Sequence, residues 1–164
     1  MSTLELRYDW DYSDYARLPD DGNHYEVLDG ELLVTPSPSP LHQVVSFRLA
    51  MLLGPYVEGH RLGLMIQDVD LLFQTGQFLR PDLLVVEILP PTSGPIDLVK
   101  KPARYGDFGI PEYWVLDPED RCAWVWHFAE GSTAPEQVRG RLEWPARGAS
   151  EPLRIDLEEL LRPL

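Results

Sequence analysis

Glu87 stands inside an otherwise apolar run, LLVVEIL at residues 83–89. An ionised carboxylate there loses its hydration unless a cation or several hydrogen-bond donors replace the water, so the fold must compensate it. The residue alone allows two readings: a metal-ligating carboxylate on a central strand, or a glutamate that lies near a strand end or pairs with a lysine. Two other residues supply chemistry for the first. Asp82 lies five positions earlier, in RPDLL, and Lys101 fourteen later, in DLVKKPARY. Two carboxylates can hold a hard divalent ion that polarises a phosphate and lowers the pKa of its bound water, while a lysine orients the nucleophile or stabilises developing charge. Hydrolytic phosphodiester cleavage needs such a set. The plainer reading of the same residues is a turn aspartate after proline and a solvated helix lysine. A further plain reading is that Asp97 and Lys101, four residues apart, form a surface ion pair worth about 0.3–0.5 kcal/mol and nothing more.

The elements that must carry these residues alternate between strand and helix patterns. Residues 8–18, YDWDYSDYARL, predict a short polar opening helix. Residues 24–34 alternate around Asp29-Gly30, which predicts a tight hairpin because Asp-Gly supplies the positive φ angles of a type I′ turn. Ser39 and Pro40 read as an N-cap and first helical position, and Leu41, Val44, Val45, Leu49, Leu52, Leu53 and Tyr56 follow at helical spacing, predicting a helix over 40–58. Residues 61–73 and 78–89 predict two strands joined at QTGQ, and the second is apolar on both parities, as a central strand covered on both faces would be. A helix over 96–108 follows, then PEYWVLD as a strand, the turn DPED, and CAWVWHF as its antiparallel neighbour. Residues 129–151 read as a long turn or weak strand, and Asp156 with Glu159 opens a short terminal helix in the manner of a capping box. Pro102 removes a helical hydrogen bond and restricts the residue before it, which places Lys101 at a kink or a helix start. The whole is a mixed α/β (α+β) pattern.

At 164 residues the chain has the length of a single domain, 1–164. Its 44% hydrophobic and 25% charged residues are ordinary globular values and exclude a disordered, collagenous or coiled-coil chain. A formal charge of −13 disfavours nonspecific binding of polyanions, yet leaves room for a local site where a divalent cation neutralises clustered carboxylates. The single cysteine, Cys122, excludes an intramolecular disulfide, and without any CxxC a structural zinc is excluded too. MSTLELRYDW has no basic start or apolar core, and no run of apolar residues is long enough to span a bilayer, so a cytoplasmic protein with no membrane partner is expected. The aromatic cluster of Tyr113, Trp114, Trp124, Trp126 and Phe128 reads as core packing or a dimer contact in preference to base stacking, since no basic stripe accompanies it.

The succession YEVLDGEL, PSPSPLHQVV, RPDLLVV, VVEIL and DLVKKPARYGDFGIPEYWVLDPE resembles the Uma-two-type restriction endonuclease family of the PD-(D/E)XK nuclease superfamily. The resemblance implies a nuclease-like mixed sheet flanked by helices, and cleavage of DNA dependent on Mg2+ or Mn2+. By it, Asp82 matches the PD aspartate and Glu87 the strand glutamate, both as metal ligands. Lys101 matches a lysine moved from the strand to the following helix, since Leu89 occupies the usual lysine place. Glu31 and His42 match two further recurrent positions. One departure matters: family members carry the two acids on separate strands, whereas RPDLLVVEIL joins them. Five residues along one strand span about 16 Å with side chains on opposite faces, while two oxygens on one such ion must lie within about 4 Å. Either Asp82 lies in a folded-back loop, or Asp68 or Asp70 substitutes, or the site is broken. The alternative reading is therefore a catalytically inactive nuclease-fold module for binding or for homodimeric assembly.

Overall fold

The structure, a computed structural model, describes residues 7–73, 76–81, 86–89 and 96–164. Its contacts resolve two compact units, Met1–Ser37 with Asp68–Pro81, and Pro38–Gln67 with Asp82–Leu164.

The first unit is organised by the Asp29-Gly30 turn. Both residues take positive φ, 56° and 75°, the combination a type I′ turn requires. The turn joins β1 (His24–Leu28) to β2 (Glu31–Thr35) in a hairpin whose register runs from Leu28 opposite Glu31 to His24 opposite Thr35. Two short strands, β3 (Leu71–Leu72) and β4 (Phe78–Leu79), complete an antiparallel sheet in the order β2-β1-β4-β3. Tyr25, Val27, Leu28, Leu33, Phe78 and Leu79 are buried. The predicted opening helix is a 3-10 helix, Tyr12–Arg17, and it sets the rings of Tyr12 and Tyr15 edge-on against Phe78 at 5.1 and 5.2 Å. Arg80 follows β4. Its backbone N–H donates to Glu26 Oε1 at 2.7 Å, and its guanidinium donates to Asp70 Oδ1 at 2.7 Å and Tyr15 Oη at 2.6 Å.

In the second unit α1 (Pro40–Gly59) opens as expected, the Ser39 hydroxyl accepting from the His42 backbone N–H at 3.2 Å. A four-stranded sheet runs β5 (Val86–Ile88), β6 (Glu112–Asp117), β7 (Cys122–His127), β8 (Glu136–Arg139), with β5 parallel to β6 and the rest antiparallel. A parallel pair needs a crossover connection. Here it contains a π-helical turn, Ile96–Lys100, running into α2 (Lys101–Asp107). The hairpin of β9 (Arg141–Trp144) and β10 (Leu153–Asp156) leads to α3 (Leu157–Leu160), capped by Asp156 accepting from the Glu159 N–H at 3.1 Å.

Strand alternation gives this sheet two different faces. Val86, Ile88, Trp114, Leu116, Ala123 and Val125 pack with Val45, Leu49 and Leu53 of α1 and with Leu157 and Leu160 of α3 into the hydrophobic core. Full burial of such side chains contributes about 1.5–3 kcal/mol each. The other face carries Glu87, Tyr113, Val115 and Trp126 and is met by α2, with the ring of Tyr105 at 4.7 Å from that of Tyr113 and Tyr113 at 5.3 Å from Trp126. The aromatic cluster is thus largely interior, as its lack of a basic stripe indicated.

Three expectations need correction. Residues 61–73 do not form one strand: positive φ at Arg61, Gly63 and Asp68 interrupts the extended backbone, leaving only β3. Nor is 78–89 a single strand, since β4 pairs within the first unit's sheet and β5 within the second's. Among the described residues β5 stands at the end of its sheet's order, so it is not central; it is buried because helices cover its two faces. Residues 129–151, read as a long turn or weak strand, hold two strands, β8 and β9.

A Cβ at Gly30 would come within 2.2 Å of the Tyr8 carbonyl oxygen, in addition to the strain of positive φ. Gly30→Ala is expected to lower stability by about 2 kcal/mol or more, measured by urea unfolding, with Asp29→Gly as a near-neutral control.

Candidate active site

The period of two in β5 places Glu87 opposite to its neighbours Val86 and Ile88. While they enter the core with α1, its carboxylate is directed to the α2 face and is only 6% exposed. The residue that meets it is Lys101, whose Nζ lies 3.0 Å from Glu87 Oε1. Pro102 explains where Lys101 stands. A proline in the first turn of α2 has no N–H for the carbonyl four residues back, and the π-helical turn ends and α2 begins at this point, so Lys101 is the first α-helical residue. The helix-start reading of Lys101 holds.

Asp97 completes the cluster. Its Oδ1 is 3.1 Å from the same Nζ, and both residues are buried, Asp97 at 4% exposure and Lys101 at 3%. The expected surface ion pair is therefore an interior one, and Lys101 is not a solvated helix lysine. Each ion gives up several kcal/mol of hydration, which attraction across about 3 Å offsets when hydrogen bonds complete the geometry. Two tyrosines supply such bonds. Tyr105 Oη donates to Glu87 Oε1 at 3.3 Å, and Tyr113 Oη donates to the backbone carbonyl of Asp97 at 3.0 Å. Burial lifts the Tyr113 phenol well above its usual value of 10.0, with the negative charge of Glu87 adding to the effect and the Lys101 ammonium opposing it.

Of the residues singled out from the sequence, the structure brings Glu87 and Lys101 together. Asp82 lies outside the described residues. His42 occupies the first turn of α1 and is buried. Glu31 begins β2 in the first unit. Asp70, weighed as a substitute acid, is ion-paired with Arg80 at 2.7 Å, and Asp68 stands 4.0 Å from the same guanidinium. Sequence reasoning missed Asp97 and Tyr105 as members of the cluster. The spacing held a signal for both, because positions 97, 101 and 105 recur every four residues and share one helical face.

Among the described residues no group of three or more His, Cys, Asp or Glu side chains converges as a metal cage. The carboxylate oxygens of Glu87, already drawn to a cationic centre, are hard donors of the kind magnesium and manganese take, so the donor chemistry at Glu87 fits such an ion. None of the described helices is long and apolar enough to cross a membrane.

A sheet whose one face is apolar core and whose other face gathers Glu87 with a helix-borne lysine is that of a mixed α+β nuclease-type fold. The family model described as "Putative restriction endonuclease" (Uma2) matches residues 12–85 and 83–158, and the chain belongs to that family. A solved structure described as "a putative nuclease belonging to DUF820 from Anabaena variabilis" superposes with a TM-score of 0.76 over 93% of this chain and 97% of that one, at 17% identity, and shares the fold. No curated protein matches the chain.

The Tyr113 phenol has a testable consequence. Its proton is held in the folded protein at pH values where the unfolded chain loses it, so its contribution to stability is complete below the ordinary value of 10.0 and is lost as pH rises above it. Tyr25 behaves alike through burial, and so does the Cys122 thiol from an ordinary 9.0. Urea midpoints are expected to fall on the alkaline side. Tyr113→Phe should lower neutral stability by about 1 kcal/mol through its lost hydrogen bond, yet give a shallower alkaline limb. A limb as steep as the wild type's excludes Tyr113 as its source.

Proposed function

We propose that this protein is a divalent-metal-dependent DNA endonuclease that hydrolyses phosphodiester bonds, its 164 residues acting as one nuclease-like domain in the cytoplasm. The observation that carries the reading is the buried contact of Glu87 Oε1 with Lys101 Nζ at 3.0 Å on the α2 face of the sheet, in a chain of the Uma2 family.

Glu87 would hold Mg2+ or Mn2+ together with Asp82, the acid five residues earlier. Such an ion, when bound, supplies Lewis-acid activation of the phosphate and a more acidic water. The remaining steps belong to the chain. Lys101 places a positive charge within reach of Glu87, where its ammonium donates to the attacking water or to the phosphate oxygen on which negative charge grows. Tyr105 fixes the rotamer of Glu87 through its hydroxyl. Burial of the cluster strengthens each of these interactions by excluding water. His42 and Glu31 enter by resemblance as accessory residues. The overall charge of −13 is consistent with a DNA substrate only if attraction is local, which a metal at Glu87 provides.

Supercoiled plasmid with Mg2+ or Mn2+ tests this directly. Wild-type protein is expected to nick it, a chelator to stop it, and Glu87→Ala to slow it by about a hundredfold or more. No nicking by wild type with either ion, or undiminished nicking by Glu87→Ala, would leave the non-catalytic binding module as the better reading.

A further inference from the structure

The carboxylate of Asp97 has no part in the metal reading above, and yet it is as deeply buried as Glu87 and touches the same ammonium. Burying a second carboxylate beside one lysine costs hydration that an apolar residue at this position would not. The cluster's connectivity shows what the aspartate does there. Tyr113, on β6, donates to the Asp97 carbonyl and so ties the π-helical turn to the sheet. Asp97 Oδ1 then meets Lys101 Nζ, Lys101 Nζ meets Glu87 on β5, and Glu87 stands opposite Val115 of β6 in the parallel ladder. The contacts close into a ring that begins and ends on β6. A lysine side chain has four rotatable bonds and loses much rotamer freedom when fixed. One acceptor leaves the ammonium able to pivot about that contact, whereas two acceptors on different elements define its position.

We propose that Asp97 is a positioning residue for Lys101, its buried carboxylate holding the ammonium in the one place where it also meets Glu87. The catalytic use of that placement rests on the endonuclease reading; the placement itself does not. Asp97 acts through Lys101 and is not a metal ligand.

The composition makes the test direct. Lys100 and Lys101 are the only lysines of the chain, so protein labelled with 15N-lysine gives two ammonium signals, one from an exposed side chain and one from a buried one. In the wild type the Lys101 ammonium is expected to exchange hydrogen with water much more slowly than that of Lys100. Asp97→Asn keeps the shape and removes the charge; it should speed the Lys101 exchange by about tenfold or more while the backbone amide signals of both lysines stay in place. In plasmid nicking, the same variant should lower kcat with KM unchanged, and Asp97→Asn combined with Lys101→Met should be no slower than Lys101→Met alone, the non-additivity of residues acting as a unit. Mn2+ affinity should be kept in Asp97→Asn and lost in Glu87→Gln.

Unchanged ammonium exchange in Asp97→Asn overturns the proposal, as does additivity in the double variant or loss of Mn2+ binding on a par with Glu87→Gln. Should Asp97→Asn fail to fold, the wild type decides alone, since a Lys101 ammonium exchanging as fast as that of Lys100 is not held. A wild-type protein that never nicks DNA defeats the endonuclease reading and leaves the exchange result standing, so the two failures are told apart.

Discussion

A lysine ammonium shut away from water is the constraint around which the second unit is arranged. Its hydration is worth several kcal/mol, and the fold can give it up only where acceptors arrive from more than one direction. Glu87 arrives from β5 and Asp97 from the π-helical turn, with Tyr105 bonding to the Glu87 carboxylate and Tyr113 to the Asp97 backbone carbonyl behind them. This fixes how α2 lies on the sheet: a rotation of the helix by one residue, about 100°, would carry Lys101 away from Glu87 and leave charges buried without each other. The opposite face has no such demand. Val86, Ile88, Trp114 and Leu116 meet α1 and α3 through apolar contact alone, which tolerates changes of shape so long as volume is kept. One face is therefore held by shape and volume, and the other by the directions of its hydrogen bonds and ion pairs.

Glu87 was legible because a carboxylate in a greasy run is an anomaly that only a compensating partner resolves, and Lys101 because chemistry asked for a cation near it. The Asp29-Gly30 hairpin and α1 were legible for local reasons, a turn with an obligatory backbone conformation and a capped apolar period. Asp97 was not, because an acid four residues before a lysine looks the same on paper whether the pair lies on the surface or beneath it; burial is decided by what packs on top. The place of β5 in its sheet was hidden for a related reason. An apolar run on both parities reports that both faces are covered, and two helix layers cover a strand that ends the order among the described residues as well as a middle one. The strand expected over 61–73 is interrupted because positive φ at Asp68 is a backbone choice set by the surrounding fold, and aspartate carries no requirement for it.

The distance problem posed by RPDLLVVEIL presumed one straight strand from Arg80 to Leu89. The described residues on either side belong to different sheets, β4 in the first unit and β5 in the second, so an apolar run on paper is no proof of a single strand. Two other boundaries fall at the same place. The units divide between Pro81 and Asp82, and the family match divides into two segments that overlap at 83–85. Proline suits such a junction, since it cannot donate to a ladder and ends pairing without leaving an unsatisfied N–H.

The choice of lysine at 101 is itself informative. Twelve of the chain's fourteen basic residues are arginines, and the exposed ion pairs Arg104–Asp107, Arg121–Glu158 and Arg154–Glu143 use them. Guanidinium is flat, forked and suited to a single carboxylate in plane. An ammonium is compact and can direct separate N–H bonds at acceptors that come from different elements and share no plane. That is the demand made by Glu87 and Asp97, and the chain departs from its habit of arginine only at Lys100 and Lys101. At Lys101 that departure falls beside an acid placed against the hydropathy of its own strand, and the compact ammonium is the cation that the geometry of its two acceptors admits.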